Sequence, residues 1–309
     1  MVFKLTVLGS SAAVPTMERG LSAYVLSVGQ HLFLIDCGEG TQLQMMKYKI
    51  KRNSINHIFI SHLHGDHYYG LVGLITSYAL LGRTAPLMVY APEGLSEIMA
   101  VNFKHSQFNC PFPLFFVVLD TTERRKIMDT ESLEVWHFPL EHRIATCGFL
   151  FKEKPFKRRL LKEKIAQYEI PHSFLRGIKN GDDFELSDGT IVSNVELTKD
   201  PPPPRSFAYC SDTRFSEAVI DAVKGVDLLF HEATFLEEMR EHAEFAFHST
   251  AIDAANVALR AGVEKLVIGH FSSRYYDDTP LTDEAKTVFP NTFAAYDGAN
   301  YEIPFEKKI

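Results

Sequence analysis

Three histidines and one aspartate lie within six residues of the segment 61–67, which reads SHLHGDH. Imidazole nitrogens and carboxylate oxygens are ligands that zinc takes at about 2.0–2.2 Å. Gly65 permits the sharp turn that would bring all four side chains together. The alternative is a polar loop at a strand end, but chance seldom spaces these residue types so closely. The candidate metal ligands in this segment are His62, His64, Asp66 and His67.

Further candidate ligands each follow a strand-like run of apolar residues: His142, Asp212 and His270. Strand ends that meet at one rim of a sheet commonly build functional sites. Taken singly, a histidine in such a place is more often a structural hydrogen-bonding group than a ligand. Together with the first cluster, however, these residues supply seven ligands, and the two oxygens of Asp212 can bridge two metals. The set predicts two zinc ions that share a bridging water.

A basic run interrupts an otherwise acidic chain. The formal net charge is −7, which argues mildly against nucleic-acid binding, but a local segment can reverse that sign. Two glutamates oppose seven basic residues between positions 152 and 164, a local net charge of about +5 (seven minus two). Such a run can be a solvated helix face or a surface that contacts phosphates. The basic residues are Lys152, Lys154, Lys157, Arg158, Arg159, Lys162 and Lys164.

The elements that must position these residues form two groups of strands, with helical patterns such as 216–224 and 249–261. Two such groups predict two sheets packed face to face with helices outside. The segment 152–205 breaks the rhythm and ends in four consecutive prolines, so we interpret it as an inserted arm. The predicted strands are Phe3–Leu8, Tyr24–Val28, His31–Asp36, His57–Ser61, Leu87–Ala91, Leu114–Leu119 and Leu133–Pro139, then Phe207–Ser211, Asp227–His231, Lys265–His270 and Phe293–Asp297.

Composition limits the class of protein. The chain has 309 residues, 46% of them hydrophobic, which is enough for a sizeable core. No stretch reaches the roughly 20 apolar residues of a membrane helix, so no membrane partner is expected. The four cysteines are far apart and form no C-x-x-C pair, which fits a reducing, cytoplasmic location.

Taken together, these motifs resemble the metallo-β-lactamase superfamily and, within it, the ribonuclease Z family. The H-x-H-x-D-H motif identifies the superfamily, and five further segments resemble the narrower family. The resemblance implies an αβ/βα sandwich of two mixed sheets with outer helices, as one domain over 1–309 with the arm 152–205 inserted. The five segments are DCGEGTQ at 36–42, SDTR at 211–214, HEATF at 231–235, HST at 248–250 and the ending at 289–297.

The resemblance also implies a function: a zinc-dependent endoribonuclease that cuts precursor tRNA at its 3′ end. A hydroxide activated by two Zn²⁺ ions attacks the phosphodiester, with Asp66 accepting the proton. His248, oriented by Glu232, protonates the leaving oxygen. The products are a tRNA 3′-hydroxyl and a trailer 5′-phosphate. From the residues alone, a buried ion pair of Glu232 and His248 near a helix start is the preferred interpretation. The resemblance further implies a homodimer whose basic arm binds the tRNA.

Two alternatives to this function stay open. One is a small-molecule metallohydrolase or phosphodiesterase of the same fold, because the metal motif alone would not distinguish it. The other is a nucleic-acid-binding protein with a structural metal, although structural zinc sites are closed and four-coordinate. In addition, the loop 15–20 reads PTMERG, with Met17 and Gly20 where the family often has lysine and asparagine. The position of cleavage is therefore open.

Overall fold

A computed structural model describes residues 2–305 of the chain. In chain order its strands are β1 Phe3–Gly9, β2 Ser11–Ala12, β3 Ala23–Val28, β4 His31–Ile35, β5 Ile55–Phe59, β6 Leu87–Pro92, β7 Leu114–Leu119, β8 Arg125–Asp129, β9 Leu133–Pro139, β10 Cys147–Glu153, β11 Arg159–Leu160, β12 Phe184–Glu185, β13 Ile191–Val192, β14 Thr198–Lys199, β15 Ser206–Cys210, β16 Leu228–Glu232, β17 Lys265–Gly269, β18 Phe271–Ser272, β19 Thr292–Ala294 and β20 Asn300–Glu302.

The α-helices are α1 Thr41–Lys47, α2 Gly65–Tyr68, α3 Gly70–Leu80, α4 Leu95–His105, α5 Lys162–Gln167, α6 Leu175–Asn180, α7 Asn194–Leu197, α8 Glu217–Ala222, α9 Arg240–Ala246, α10 Ala251–Ala261 and α11 Thr279–Lys286. Short 3-10 turns lie at Arg52–Ser54, His172–Phe174 and Glu237–Met239. Throughout 2–305, no helix is both long enough and apolar enough to span a bilayer.

Two seven-stranded mixed sheets form the body of the molecule. Their strand orders are β20-β1-β3-β4-β5-β6-β7 and β19-β17-β16-β15-β10-β9-β8. Each sheet has an antiparallel part and a parallel part. The parallel strands are β4 to β7 in the first sheet and β15, β16, β17 and β19 in the second. The predicted α/β sandwich of two mixed sheets is therefore confirmed.

The layers are held by three apolar clusters. Between the sheets, aromatic side chains such as Phe33, Phe59, Phe151 and Phe207 interdigitate. A second cluster joins the outer face of the second sheet to helices that include α8, α10 and α11, and a third joins the first sheet to helices that include α1, α3 and α4. Strands buried on both faces explain why their sequences are continuously apolar rather than alternating.

Helix α10 begins and ends where its sequence predicts. The Thr250 hydroxyl accepts a hydrogen bond from the amide of Asp253, whose side chain in turn caps the Thr250 amide. The helix ends at Gly262, which takes a left-handed conformation at φ 63°. This cap also fixes the chain immediately after His248.

The division of the strands between the two sheets differs from the sequence-based expectation. Strand β9 was grouped with the first set of strands, but it pairs with β8 and β10 and belongs to the second sheet. Strands β8, β10 and β20 were missed, and β20 joins the first sheet beside β1. The sheet that a strand joins depends on which other strand offers a free edge. Such pairing between distant segments leaves no local pattern in the sequence.

Residues 154–205 connect β10 to β15, two strands that are antiparallel neighbours. The segment makes its own small sheets, β11 with β14 and β12 with β13, around a core of Ile170, Ile178, Val192 and Leu197. At its base, a buried ion pair joins Arg205 Nη2 to Glu153 Oε1 at 2.7 Å. An insertion between adjacent antiparallel strands leaves their pairing intact, so the body of the fold tolerates it.

Candidate metal centre

The predicted metal ligands lie at one edge of the sandwich. His62, His64, Asp66 and His67 follow β5, and His142 lies in the loop between β9 and β10. Asp212 comes two residues after β15, and His270 comes directly after β17. The parallel strands β15, β16 and β17 deliver their carboxyl ends to this edge, which is why ligands so distant in sequence meet there.

The ligand atoms form two sets. One contains His62, His64, His142 and Asp212, and the other contains Asp66, His67 and His270; within each set the donor atoms lie within 4.8 Å of one another. Asp212 serves both sets, because its two oxygens face different histidines. The separations are His62 Nε2 to Asp212 Oδ2 3.5 Å, His142 Nε2 to Asp212 Oδ2 3.8 Å, His67 Nε2 to Asp212 Oδ1 3.3 Å and His270 Nε2 to Asp212 Oδ1 3.4 Å.

These separations fit metal coordination. Ligands about 2.0–2.1 Å from a tetrahedral ion lie roughly 3.3 Å from one another. Within the first set, His64 Nδ1 is 3.1 Å from His62 Nε2 and 3.2 Å from His142 Nε2. Within the second set, Asp66 Oδ2 is 3.4 Å from His67 Nε2 and 3.5 Å from His270 Nε2. Each set could therefore hold one divalent ion.

The charge states of these groups also suit metal ligation. Burial lowers the pKa of His62, His64 and His142, which leaves these imidazoles neutral with a free lone pair. Burial would raise the pKa of Asp66 and Asp212, but the facing histidines hold both below their usual range. The carboxylates are therefore ionised. Three carboxylates, those of Asp212, Asp66 and Asp36, raise the pKa of His67 against the effect of burial. A bound cation would take the place of the proton that balances their negative charge.

Four of the five histidines are oriented by a partner on their second ring nitrogen. Such outer contacts fix which nitrogen faces a metal. The partners are two hydroxyls, a carboxylate and a backbone carbonyl. The pairs are His62 Nδ1 with Ser61 Oγ at 3.0 Å, His67 Nδ1 with Asp36 Oδ2 at 2.8 Å, His142 Nδ1 with the carbonyl oxygen of Phe247 at 2.8 Å, and His270 Nδ1 with Thr234 Oγ1 at 3.1 Å.

Asp36 is the principal site residue that sequence reasoning missed. Besides His67, its carboxylate accepts hydrogen bonds from the amide and hydroxyl of Ser61, at 2.8 and 3.0 Å, and from the hydroxyl of Tyr209 at 2.7 Å. The carboxylate is fully buried. The sequence does hold a signal, because Asp36 ends the apolar run 31–36 just as the candidate ligands follow other strand-like runs.

His248 and Glu232 lie together at the side of the two ligand sets. His248 Nδ1 donates to Glu232 Oε1 at 2.8 Å, and His248 Nε2 lies 4.0 Å from Asp212 Oδ2. Glu232 is fully buried, and the amides of Thr213 and Thr234 also donate to it. Burial opposes protonation, yet Glu232 raises the pKa of His248 to about 9. His248 Nε2, which Glu232 leaves free, faces Asp212.

Strained backbone accompanies the site. Ala13, Asp36, Phe247 and His270 all have φ between 54° and 60°, a region that non-glycine residues seldom adopt. Each has a role there: the Ala13 amide donates to Asp66 Oδ2 at 2.9 Å, and the other three orient or supply ligands. Such strain persists where the surrounding structure holds the residue, and it is typical of functional sites.

A cavity of about 650 Å³ opens over the ligands. Asp66, Asp212, His248, Arg143 and Tyr69 are among the residues that line it. The cavity is partly open to solvent, so a substrate could reach the ligands from outside.

The basic residues of the run 152–164 differ in whether a carboxylate pairs with them. Lys152 lies on β10 in the body of the molecule, and Lys154 pairs with Asp129 of β8. Arg158 pairs with Asp200, and Lys164 lies 3.2 Å from Glu196. For the other three, residues 2–305 provide no carboxylate within 4.0 Å. The basic run is helical only from Lys162 onward, because β11 pairs with β14 just before it. The three are Lys157, Arg159 and Lys162.

Comparison with known proteins shows similarity over nearly the whole chain. The ribonuclease Z of Bacteroides fragilis (strain YCH46) is 44% identical over 95% of this chain and 96% of that protein. For the ribonuclease Z of Cytophaga hutchinsonii the identity is 43%, over 98% of this chain and 97% of that protein. The crystal structure of human tRNase Z, short form, superposes with a TM-score of 0.72 at 27% identity, covering 98% of this chain and 100% of that one.

A family model described as anti-Pycsar protein Apyc1 matches a shorter part, residues 3–156. That part contains the metal motif and His142 but ends before Asp212, Glu232 and His248. It also excludes most of the inserted arm. The two ribonuclease Z relatives, by contrast, match 95% and 98% of the chain.

Proposed function

Because this chain belongs to the ribonuclease Z family, we propose that it is a zinc-dependent endoribonuclease that cleaves precursor tRNA at its 3′ end. One observation carries the proposal. The two oxygens of Asp212 face different ligand sets, and Nε2 of His248, whose Nδ1 is held by Glu232, lies 4.0 Å from Asp212 Oδ2. This arrangement supports the proposal, because a proton donor beside a pair of metal ions is what cleavage of a phosphodiester with a poor leaving group requires.

The residues divide the chemistry between them. His62, His64, His142 and Asp212 would hold one zinc ion, and Asp66, His67, His270 and Asp212 the other. Zinc, when bound, acidifies water for attack and neutralises charge on the phosphate. Asp66 accepts the proton released by the attacking water, and the Ala13 amide keeps the Asp66 carboxylate in place.

His248 completes the reaction on the leaving-group side. Its Nδ1 is engaged by Glu232, so the proton that it transfers is the one on Nε2. This proton goes to the departing ribose 3′ oxygen. The products are a tRNA with a 3′-hydroxyl and a trailer with a 5′-phosphate.

Mapping both product ends tests the proposed function directly. The purified chain, supplied with zinc and a precursor tRNA, should release one trailer, and the ends should carry the two groups named above. A chain that left precursor tRNA intact but hydrolysed small phosphodiesters would instead support the alternative, a small-molecule hydrolase of the same fold.

We propose that the arm 152–205 is the tRNA-binding exosite. A groove of about 820 Å³ runs over it, with Leu160, Ile165 and Ile170 among its apolar lining residues. Five basic residues line the same groove, so a phosphate backbone could lie along its edge. Arg158 is engaged by Asp200, so the other four are the cations best placed to contact phosphates. Three of the four belong to the basic run, and Lys179 lies on α6. The five are Lys157, Arg158, Arg159, Lys162 and Lys179.

Replacing Lys157, Arg159 and Lys162 together by glutamine should weaken precursor-tRNA binding. Each lost phosphate contact should lower the logarithmic salt slope by about 0.7–0.9. Hydrolysis of bis(p-nitrophenyl) phosphate should stay near the wild-type rate, because no metal ligand is touched. Titrations at several salt concentrations measure the effect.

A matched triple variant controls for the loss of charge alone. Lys104, Lys224 and Lys286 are exposed lysines outside the arm, and their replacement by glutamine should leave the slope almost unchanged. If the arm variant bound tRNA with the wild-type affinity and salt slope, the basic run would be a solvated surface.

We also propose a homodimer. Helices α1 and α3 pack against each other and expose large apolar side chains: Leu43 is 67% exposed and Leu80 84% exposed. Met46 on α1 and Leu81 directly after α3 are also exposed, at 57% and 52%. Exposed apolar area of this kind is typical of subunit interfaces. Sedimentation equilibrium at micromolar protein measures the assembly, and a monomer would contradict the proposal.

A cytoplasmic location is proposed from the cysteines. Cys37, Cys110, Cys147 and Cys210 are all free thiols. Burial raises the pKa of Cys37 to about 12, so this thiol stays protonated and inert. Unpaired thiols are typical of reducing compartments. Cell fractionation with an antibody to the chain tests the location.

A further inference from the structure

The wall of the metal cavity carries an exposed aromatic ring at Tyr69. This residue follows the ligand His67 by two positions and keeps 64% of its surface exposed. Phe235, another aromatic side chain that lines the cavity, is only 5% exposed and packs into the fold. Neither metal binding nor proton transfer uses Tyr69, and an exposed ring that lines the cavity is free to contact a substrate there.

The ring of Tyr69 is seated by the metal motif itself. A Cβ atom on Gly65 would lie 2.3 Å from Cε2 of Tyr69 and 2.7 Å from its Cδ2 and Cζ. The ring therefore lies directly over the backbone between the ligands His64 and Asp66, in space that only glycine leaves free. The ring of Tyr68 lies nearly perpendicular to it, with centroids 4.9 Å apart and planes at 71°. Tyr68 is itself buried, so the position of the exposed ring is well defined.

We infer that Tyr69 is the stacking platform for the base of a nucleotide next to the scissile phosphate. A flat aromatic surface beside a site for phosphodiesters matches the shape and polarity of a nucleobase. Base stacking on such a ring tolerates any base identity. The ring borders the ligand-bearing loop, so a base stacked there would hold the adjoining phosphate over the two ligand sets. This subsite rests on the proposed function, because it requires an RNA substrate.

Steady-state cleavage of precursor tRNA by Tyr69→Ala and Tyr69→Phe tests the subsite. The alanine variant should raise KM about 10- to 100-fold, the scale for removal of one base-stacking ring. Its kcat should change little, because stacking acts alike on bound substrate and transition state. The phenylalanine variant keeps the ring and should resemble the wild type. Tyr296→Ala removes a tyrosine of similar exposure, 62%, that does not line the cavity, and it should have no effect.

Abasic substrates separate stacking from a general disturbance of the metal loop. Precursors lacking the base on either side of the scissile phosphate are cleaved by the wild type and by Tyr69→Ala. At one of these positions, loss of the base should raise the KM of the wild type as much as the Tyr69→Ala substitution does on the intact precursor. The same abasic precursor should not raise the KM of the Tyr69→Ala variant any further. Elemental analysis should give the same zinc content for both proteins.

Several outcomes would overturn the inference. A wild-type KM for Tyr69→Ala on the intact precursor would remove the subsite alone and leave the proposed function standing. Tyr69 would have a purely structural role if Tyr69→Ala raised the KM for both abasic precursors as much as for the intact one. A fall in both zinc content and kcat would lead to the same conclusion. A wild-type protein that cleaved no precursor tRNA would remove the proposed function and the subsite with it.

Discussion

The Asp212→Ala protein is expected to bind less zinc than the wild type and to cleave precursor tRNA at least about a thousandfold more slowly. Metal assistance contributes several kcal/mol to such reactions, and 1.36 kcal/mol corresponds to a factor of ten. The expectation follows from geometry, because Oδ1 of Asp212 faces His67 and His270 while Oδ2 faces His62 and His142. Removing this one carboxylate takes a ligand from both sets.

Elemental analysis of the purified wild type should first give close to two zinc ions per chain. The Asp212→Ala protein should hold one or none under the same conditions, with an unchanged circular dichroism spectrum. Asp221→Ala is the matched control, since this aspartate is exposed on α8 and should leave metal content and rate unaltered. A wild type that held a single metal after zinc supplementation would contradict the two-metal site.

The His248→Ala protein is expected to keep both metals and yet cleave precursor tRNA at least about a hundredfold more slowly, within the usual range for loss of a general acid. His248 Nε2 points toward the site, and Glu232 holds the other nitrogen at 2.8 Å. A substrate with a phenolate leaving group needs less protonation. Hydrolysis of bis(p-nitrophenyl) phosphate should therefore fall far less than cleavage of RNA.

Two further variants sharpen this prediction. Glu232→Gln should reproduce the selective loss more weakly, because the amide can still contact the imidazole but no longer stabilises its charged form. His105→Ala, at the exposed end of α4, should have no effect on either substrate. Equal losses of His248→Ala on both substrates would mean that this histidine positions the phosphate or a metal ligand and does not donate the proton.

Some parts of the site were readable from local sequence. The ligand types of the segment 61–67 and their spacing predicted a metal loop, and the loop does bring His62, His64, Asp66 and His67 to one edge of the molecule. The caps of α10 could also be predicted from the sequence, because Thr250 and Gly262 act on their immediate neighbours. Local interactions leave local patterns, so sequence was sufficient for them.

Other parts were decided only by the tertiary structure. Asp36 and Tyr209 are 173 positions apart in sequence, yet the tyrosine hydroxyl and the carboxylate that orients His67 are 2.7 Å apart. The pairing of Arg158 with Asp200, which removes one cation from the basic run, is likewise invisible to a count of charges. Residue types and strand ends thus determined what chemistry the chain could perform. The packed sheets decide which oxygen of Asp212 faces which ligand set and which cation of the basic run has no carboxylate partner. Both depend on distances between residues far apart in sequence, and no local pattern encodes those distances.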